Sequence, residues 1–303
     1  MFPIIPANSV TAASGNDEGI FGLGYISSYV SMTNLVSNAG VVATDVAGVG
    51  TARYGPAACE YGGDKGIFGY GISSGGIVSV TNLVSNAGVV ATDTTGVGTA
   101  RNDLAACSYG GDKGIFCFGY DGSGPYTAVS NLVSNAGVVA TDVAGVGTAR
   151  RGPAACEYGG DKGIFGYGND ISSRVSVTNL VSNAGVVATD TTGVGTARNY
   201  LAACSYGGDK GIFAFGRDHP AYISISNLVS NAGVVSTDVT GVGTAREGPA
   251  ACEYGGDKGI FGYGYAADSN QSMSNLVSNA GVVATDTTGV GTARRYLAAC
   301  SFN

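Results

Sequence analysis

Across residues 57–95, short apolar and β-branched runs alternate with turns rich in glycine, asparagine and aspartate, and no helical period appears. The pattern predicts four short strands. Residues 57–62 (Ala-Ala-Cys-Glu-Tyr-Gly) form the first, Gly62-Gly63-Asp64 turns the chain, and residues 65–70 (Lys-Gly-Ile-Phe-Gly-Tyr) form the second. A loop leads to the third strand at 77–84, Asn86-Ala87-Gly88 makes a tight turn, and residues 89–94 form the fourth.

The unit recurs along the chain. Asn-Leu-Val-Ser-Asn-Ala-Gly-Val-Val begins at Asn34, Asn82, Asn131, Asn179, Asn227 and Asn275, and Gly-Val-Gly-Thr-Ala-Arg ends each copy. A fixed period of this kind marks a repeat architecture, in which each unit buries its apolar face against its neighbours. Six units fill residues 17–303, which we read as one domain. Residues 1–16, carrying Phe2, Ile4 and Ile5, stand outside as an apolar arm that is either flexible or docked into a neighbouring subunit.

The ends of the repeat region complement each other. Residues 17–21 open on a second strand with no first strand before it, and residues 297–302 supply a first strand with no second strand after it. Pairing the two would close a ring and remove the exposed edges that invite aggregation. The expected fold is therefore all-β: a six-bladed β-propeller of four-stranded antiparallel blades, closed by the C-terminal strand on the N-terminal blade.

Arg101, Leu104-Ala105-Ala106 and Gly114-Ile115-Phe116-Cys117-Phe118-Gly119 follow one another as an arginine, a small-residue strand and a strand ending in glycine. This order resembles the Kelch family of β-propellers over residues 17–303. The chain departs from that family in ending its second strand Gly-aromatic-Gly rather than in paired glycines, and in having no tryptophan. The glycine-rich, nearly uniform repeats are also similar in texture to those of bacteriophage tail-fibre and bacterial surface proteins. That likeness implies an extracellular or virion-surface location and assembly into a fibre.

Composition narrows the partners. A formal net charge of −7 leaves no basic patch to neutralise phosphates, which argues against nucleic acid. No apolar run is long enough to cross a bilayer as a helix, so membrane insertion is not expected, and the N-terminus lacks the basic start of a secretory signal.

Reactive chemistry is sparse. The one histidine, His219, sits in a divergent loop beside Pro220, too isolated for a catalytic triad or an imidazole metal site. Cys59, Cys107, Cys156, Cys204, Cys252 and Cys300 recur at one first-strand position and read as small buried hydrophobes, a soft-metal thiolate ring being the sharper alternative; Cys117 packs similarly in a second strand. Glu60, Glu157 and Glu253 alternate with Ser108, Ser205 and Ser301, which suggests either solvent-facing side chains or a threefold ring able to hold a hard cation. Asp45, Asp93, Asp142, Asp190, Asp238 and Asp286 each precede an arginine (Arg53, Arg101, Arg150, Arg198, Arg246 and Arg294) by eight residues. Each arginine is expected to tie its linker to a neighbouring strand or carbonyl. Gly-Val-Gly and Gly-Gly-Asp-Lys open no helix and read as turns, not phosphate loops. No cofactor and no catalytic residue is expected.

The six units differ mainly in two places: the loop after the second strand, and the residues just after the arginine. Strand alternation brings both to one face. There Tyr54, Tyr120, Tyr126, Arg151, Arg174, Tyr200, Arg217, Tyr222, Arg295 and Tyr296 are candidate binding residues, of types suited to sugars or protein; drift at exposed loops is the simpler alternative. The expected function is a non-catalytic structural or recognition propeller with a protein or glycan partner on this face and a capacity for self-assembly. The alternatives are a lectin-like propeller acting alone and a glycosidase-type enzyme using carboxylates such as Asp121, Asp170 or Asp218.

Overall fold

The structure is a computed structural model that describes residues 17–302; the arm residues Phe2, Ile4 and Ile5 lie outside them. Among the described residues the chain is all-β, with six three-stranded antiparallel sheets, two short two-stranded ribbons and no helix. In the second repeat Ala57–Tyr61, Lys65–Gly69 and Thr81–Val84 lie side by side, with Cys59 opposite Ile67 and Ile67 opposite Leu83. The other five sheets repeat this arrangement.

The fourth strand of each unit is corrected by the structure. Residues 89–94 make only two bridges, Val84 to Val90 and Thr81 to Thr94, and between them three steps on one side face four on the other. The buried side chain of Asn82 intervenes, its Nδ2 donating to Ala91 O at 3.0 Å and to Asp93 Oδ1 at 2.9 Å. The segment is stapled to the sheet by a side chain instead of running as a regular ladder.

The two ends of the repeat region do pair. Glu18–Tyr25 takes Ala298–Phe302 on one side, with Ile20 opposite Cys300, and Tyr29–Val36 on the other. The first strands of the sheets lie against one another in sequence order, and Ala298–Phe302 touches both Ala250–Tyr254 and Ala57–Tyr61.

Residue size sets the spacing between sheets. Along Ala57–Tyr61, Ala57, Cys59 and Tyr61 are buried while Ala58 and Glu60 are only partly so, which turns the cysteine toward the adjoining sheet. There it meets a glycine: a Cβ on Gly114 would lie 2.4 Å from Cys59 Sγ, and one on Gly163 2.5 Å from Cys107 Sγ. The glycine after each lysine is thus required by close approach, and the cysteine fills the space beside it. All seven cysteines are free and buried, as expected of small apolar fillers, and burial pushes the Cys117 and Cys156 thiols up to about 12.

Each arginine joins two repeats. The fully buried Arg53 donates from Nε to Tyr70 O at 2.7 Å, from Nη1 to Thr51 O at 2.9 Å and from Nη2 to Asn82 Oδ1 at 2.7 Å. Tyr70 stands at φ 64°, the left-handed irregularity that ends the second strand. The acid near Arg53 is Asp93 of the next repeat, at 4.0 Å, not Asp45 of its own; Asp45 in turn lies 3.9 Å from Arg294. Burial pushes the Asp45 carboxyl up, but hydrogen bonds from Thr292 and Asn34, with Arg294 nearby, hold it below the usual range. Aromatic rings complete the joint: Arg101, Arg198 and Arg294 lie 4.2–4.3 Å over Tyr70, Tyr167 and Tyr263.

Candidate functional site on the variable face

The first strand of every sheet is preceded by Gly-Pro or by Xaa-Leu in strict alternation. Gly55, Asp103, Gly152, Tyr200, Gly248 and Tyr296 occupy the position concerned, all with φ between 52° and 62°. Their backbones are linked head to tail. The Asp103 N–H donates to Gly55 O, Gly152 to Asp103, Tyr200 to Gly152, Gly248 to Tyr200, Tyr296 to Gly248, and Gly55 back to Tyr296, at 2.7–2.9 Å. A left-handed backbone costs a non-glycine residue about 1–2 kcal/mol, so Asp103, Tyr200 and Tyr296 carry strain that the glycines do not.

The same geometry explains the alternation. A Cβ on Gly152 would lie 3.0 Å from the Tyr200 ring, one on Gly248 2.7 Å from the Tyr296 ring, and one on Gly55 2.6 Å from Asp103 Oδ1. Each large residue covers the glycine before it, so six large residues would clash and six glycines would leave the surface bare.

The two variable regions of each repeat are brought together by backbone pairing. Tyr54 bridges Ile72, Asn102 bridges Tyr120, Arg151 bridges Asn169, Asn199 bridges Arg217, Glu247 bridges Tyr265, and Tyr25 bridges Arg295. On this frame the aromatic side chains form a connected cluster. Tyr54 stacks on Tyr29 at 5.7 Å and meets Tyr25 and Tyr296 edge-on or tilted at 5.6 and 5.7 Å, while Tyr296 meets Tyr200 at 5.1 Å. Arg295 lies 4.0 Å over Tyr265, which meets Tyr222 at 6.1 Å; Arg151 lies 5.2 Å over Tyr126, which meets Tyr120 at 5.9 Å.

Two acids are buried among these rings. Asp103 accepts the Tyr200 hydroxyl at 3.3 Å, and burial pushes its carboxyl up to about 6 against the pull of Arg151. Glu247, 3% exposed, accepts the Tyr296 hydroxyl at 3.1 Å and pairs with Arg217 at 3.3 Å. Burial, and after it the adjacent carboxylates, raise the Tyr200 and Tyr296 phenols well above the ordinary value, so both remain neutral hydrogen-bond donors.

Tyr54, Tyr120, Arg151, Tyr200 and Tyr296 line one groove of about 230 Å³. Tyr126 joins its rim through Arg151, whereas Arg217, Tyr222 and Arg295 gather around Glu247 and Tyr265. Arg174 pairs through its backbone with Asn169, which in turn bridges Arg151. Tyr25, Tyr29, Tyr265, Asn102, Asp103 and Glu247 belong to the site although residue type alone did not single them out. Asp121 and Asp170 each accept hydrogen bonds from serines of their own loops, and Asp218 is exposed opposite Ala221. His219 takes its contact from Arg217 Nη2 at 3.1 Å.

Glu60, Glu157 and Glu253 lie at the other end of the first strands. They do not point to open solvent but line a cavity of about 290 Å³ with Ser108 and Ser205. Burial, and then the neighbouring carboxylates, push Glu157 and Glu253 up to about 8. Among the described residues no group of three or more His, Cys, Asp or Glu is placed to hold a metal ion. The glutamates stand on alternate sheets, with a serine strand between each pair.

No protein-family model matches this sequence, and no curated protein matches it.

Proposed function

We propose that the chain is a closed six-bladed β-propeller of Kelch-like type that acts without catalysis as a recognition module. Its tyrosine- and arginine-rich face contacts a glycan or protein partner. The pairing of Glu18–Tyr25 with Ala298–Phe302 and the head-to-tail hydrogen bonds from Gly55 round to Tyr296 support the closed ring. The observation that carries the functional reading is that the residues in which the otherwise uniform repeats differ are brought together by backbone bridges on one face rich in tyrosine and arginine. Tyrosine and arginine dominate contact energy at binding surfaces.

The test is binding of the labelled full chain to glycan and protein microarrays. Signals are expected that disappear with Tyr54→Ala combined with Arg151→Ala and persist with Asp112→Ala combined with Asp209→Ala at the opposite end. Silence on both arrays, or signals indifferent to the first pair, would overturn the reading.

A further inference from the structure

We infer that the groove lined by Tyr54, Asn102, Asp103, Tyr120, Arg151 and Tyr200 is a binding site for one neutral pyranose unit of a glycan. This rests on the reading of the face as a recognition surface and adds the chemistry of its ligand.

The groove is small and built. Its volume of about 230 Å³ lies below the range of drug-sized pockets and suits a single ring. Asn102, 5% exposed, is fixed by backbone bonds in both directions with Tyr120 at 2.9 Å, and Asp103 is 9% exposed.

Its polar inventory is incomplete, as it is at the equivalent Asn199 and Arg295 of other repeats. The buried Oδ1 of Asn102 has no donor, and the buried Nε of Arg151 has no acceptor. Either omission costs about 1–3 kcal/mol, and native proteins seldom leave such groups unmet. A hydroxyl both donates and accepts, and so can meet either kind of group.

Three observations separate a sugar from a peptide or an anion. The backbone N–H and C=O of Asn102 are already taken by Tyr120, and those of Tyr54 by Ile72, so no strand can be added there. The walls are tyrosine rings, flat faces against which the C–H surface of a pyranose packs. Arg151 and Asp103 bring opposite charges to one groove, which favours a neutral ligand over a phosphate or a carboxylate.

The experiment is saturation-transfer-difference NMR on the full chain with the methyl pyranosides of glucose, galactose, mannose and N-acetylglucosamine, each at millimolar concentration. At least one is expected to show transfer to its ring protons, weakened at least about tenfold by Tyr120→Ala and by Asn102→Leu, and unchanged within about twofold by Asp112→Ala at the opposite end. Tyr120 is only partly buried, so its variant reports even where Asn102→Leu fails to fold. No transfer from any pyranoside, or transfer that survives Tyr120→Ala, would overturn the inference. If protein-array signals still depended on Tyr54 and Arg151, the face would stand as a recognition surface and only the sugar would fall.

Discussion

Arg246→Met is expected to lower the stability of the whole chain by about 3 kcal/mol or more, seen as a fall of roughly 6–12 °C in calorimetric melting temperature. The side chain is fully buried and donates to Tyr263 O at 2.7 Å, Thr244 O at 3.0 Å and Asn275 Oδ1 at 2.7 Å, with Asp286 at 3.9 Å and the Phe215 ring 3.9 Å beneath. Burial pulls the guanidinium down to about 10 in spite of Asp286, so the cation itself is not favourably placed. What its removal costs is the orphaning of three acceptors in a joint between repeats, a loss methionine cannot repair. Lysine should fare little better, because one ammonium cannot reach three acceptors set in a planar fork. A methionine variant within about 0.5 kcal/mol of the parent would show that the arginine joints do not hold the sheets together.

The second large effect is a dependence on pH set by Glu157 and Glu253. Both carboxyls are pushed up to about 8, by burial first and by Glu60 next, against an ordinary value of 4.5. Between those limits the folded chain holds protons that the unfolded chain releases, so stability falls as pH rises from about 4.5 through 8 and levels off above. At about 1.4 kcal/mol per unit, reduced for partial exposure and for coupling between the two, the pair accounts for roughly 3 kcal/mol. Urea unfolding at about pH 5 and pH 8.5 measures it, and Glu157→Gln with Glu253→Gln should remove most of the difference. The aspartates at the arginine joints work in the opposite sense: held below their ordinary value, they withdraw stability as pH falls through the acid range, which places the optimum near pH 5. A parent chain equally stable at both pH values would contradict the buried carboxyls.

The repeat made much of the fold legible. Turn residues placed the first two strands; the third, read at 77–84, runs only over Thr81–Val84, and the incomplete first and last units announced that the two ends pair. The fourth strand is not a regular ladder because, although its composition suits a strand, the side chain of Asn82, nine residues before Ala91, takes the place of backbone pairing. The arginine joints were foreseen in kind but not in partner, since Arg53 meets Asp93 of the next repeat rather than the nearer Asp45.

The face was legible only as variation. Tyr200 meets Asp103 across 97 positions and Asn270 meets Ile26 across 244, distances over which no local pattern carries information. The alternation of Gly-Pro with Xaa-Leu stood plainly in the sequence, but its cause, large residues in left-handed backbone covering the glycines before them, depends on six segments meeting.

That meeting is also where the ring is tested most directly. Amide hydrogen exchange resolved by NMR should find the Gly55 N–H, which bonds Tyr296 O just before the C-terminal strand, protected as strongly as the Gly152 N–H, which bonds Asp103 O. Fast exchange at Gly55 beside a protected Gly152 would mean that Ala298–Phe302 is not seated beside Ala57–Tyr61, and would contradict the closed propeller.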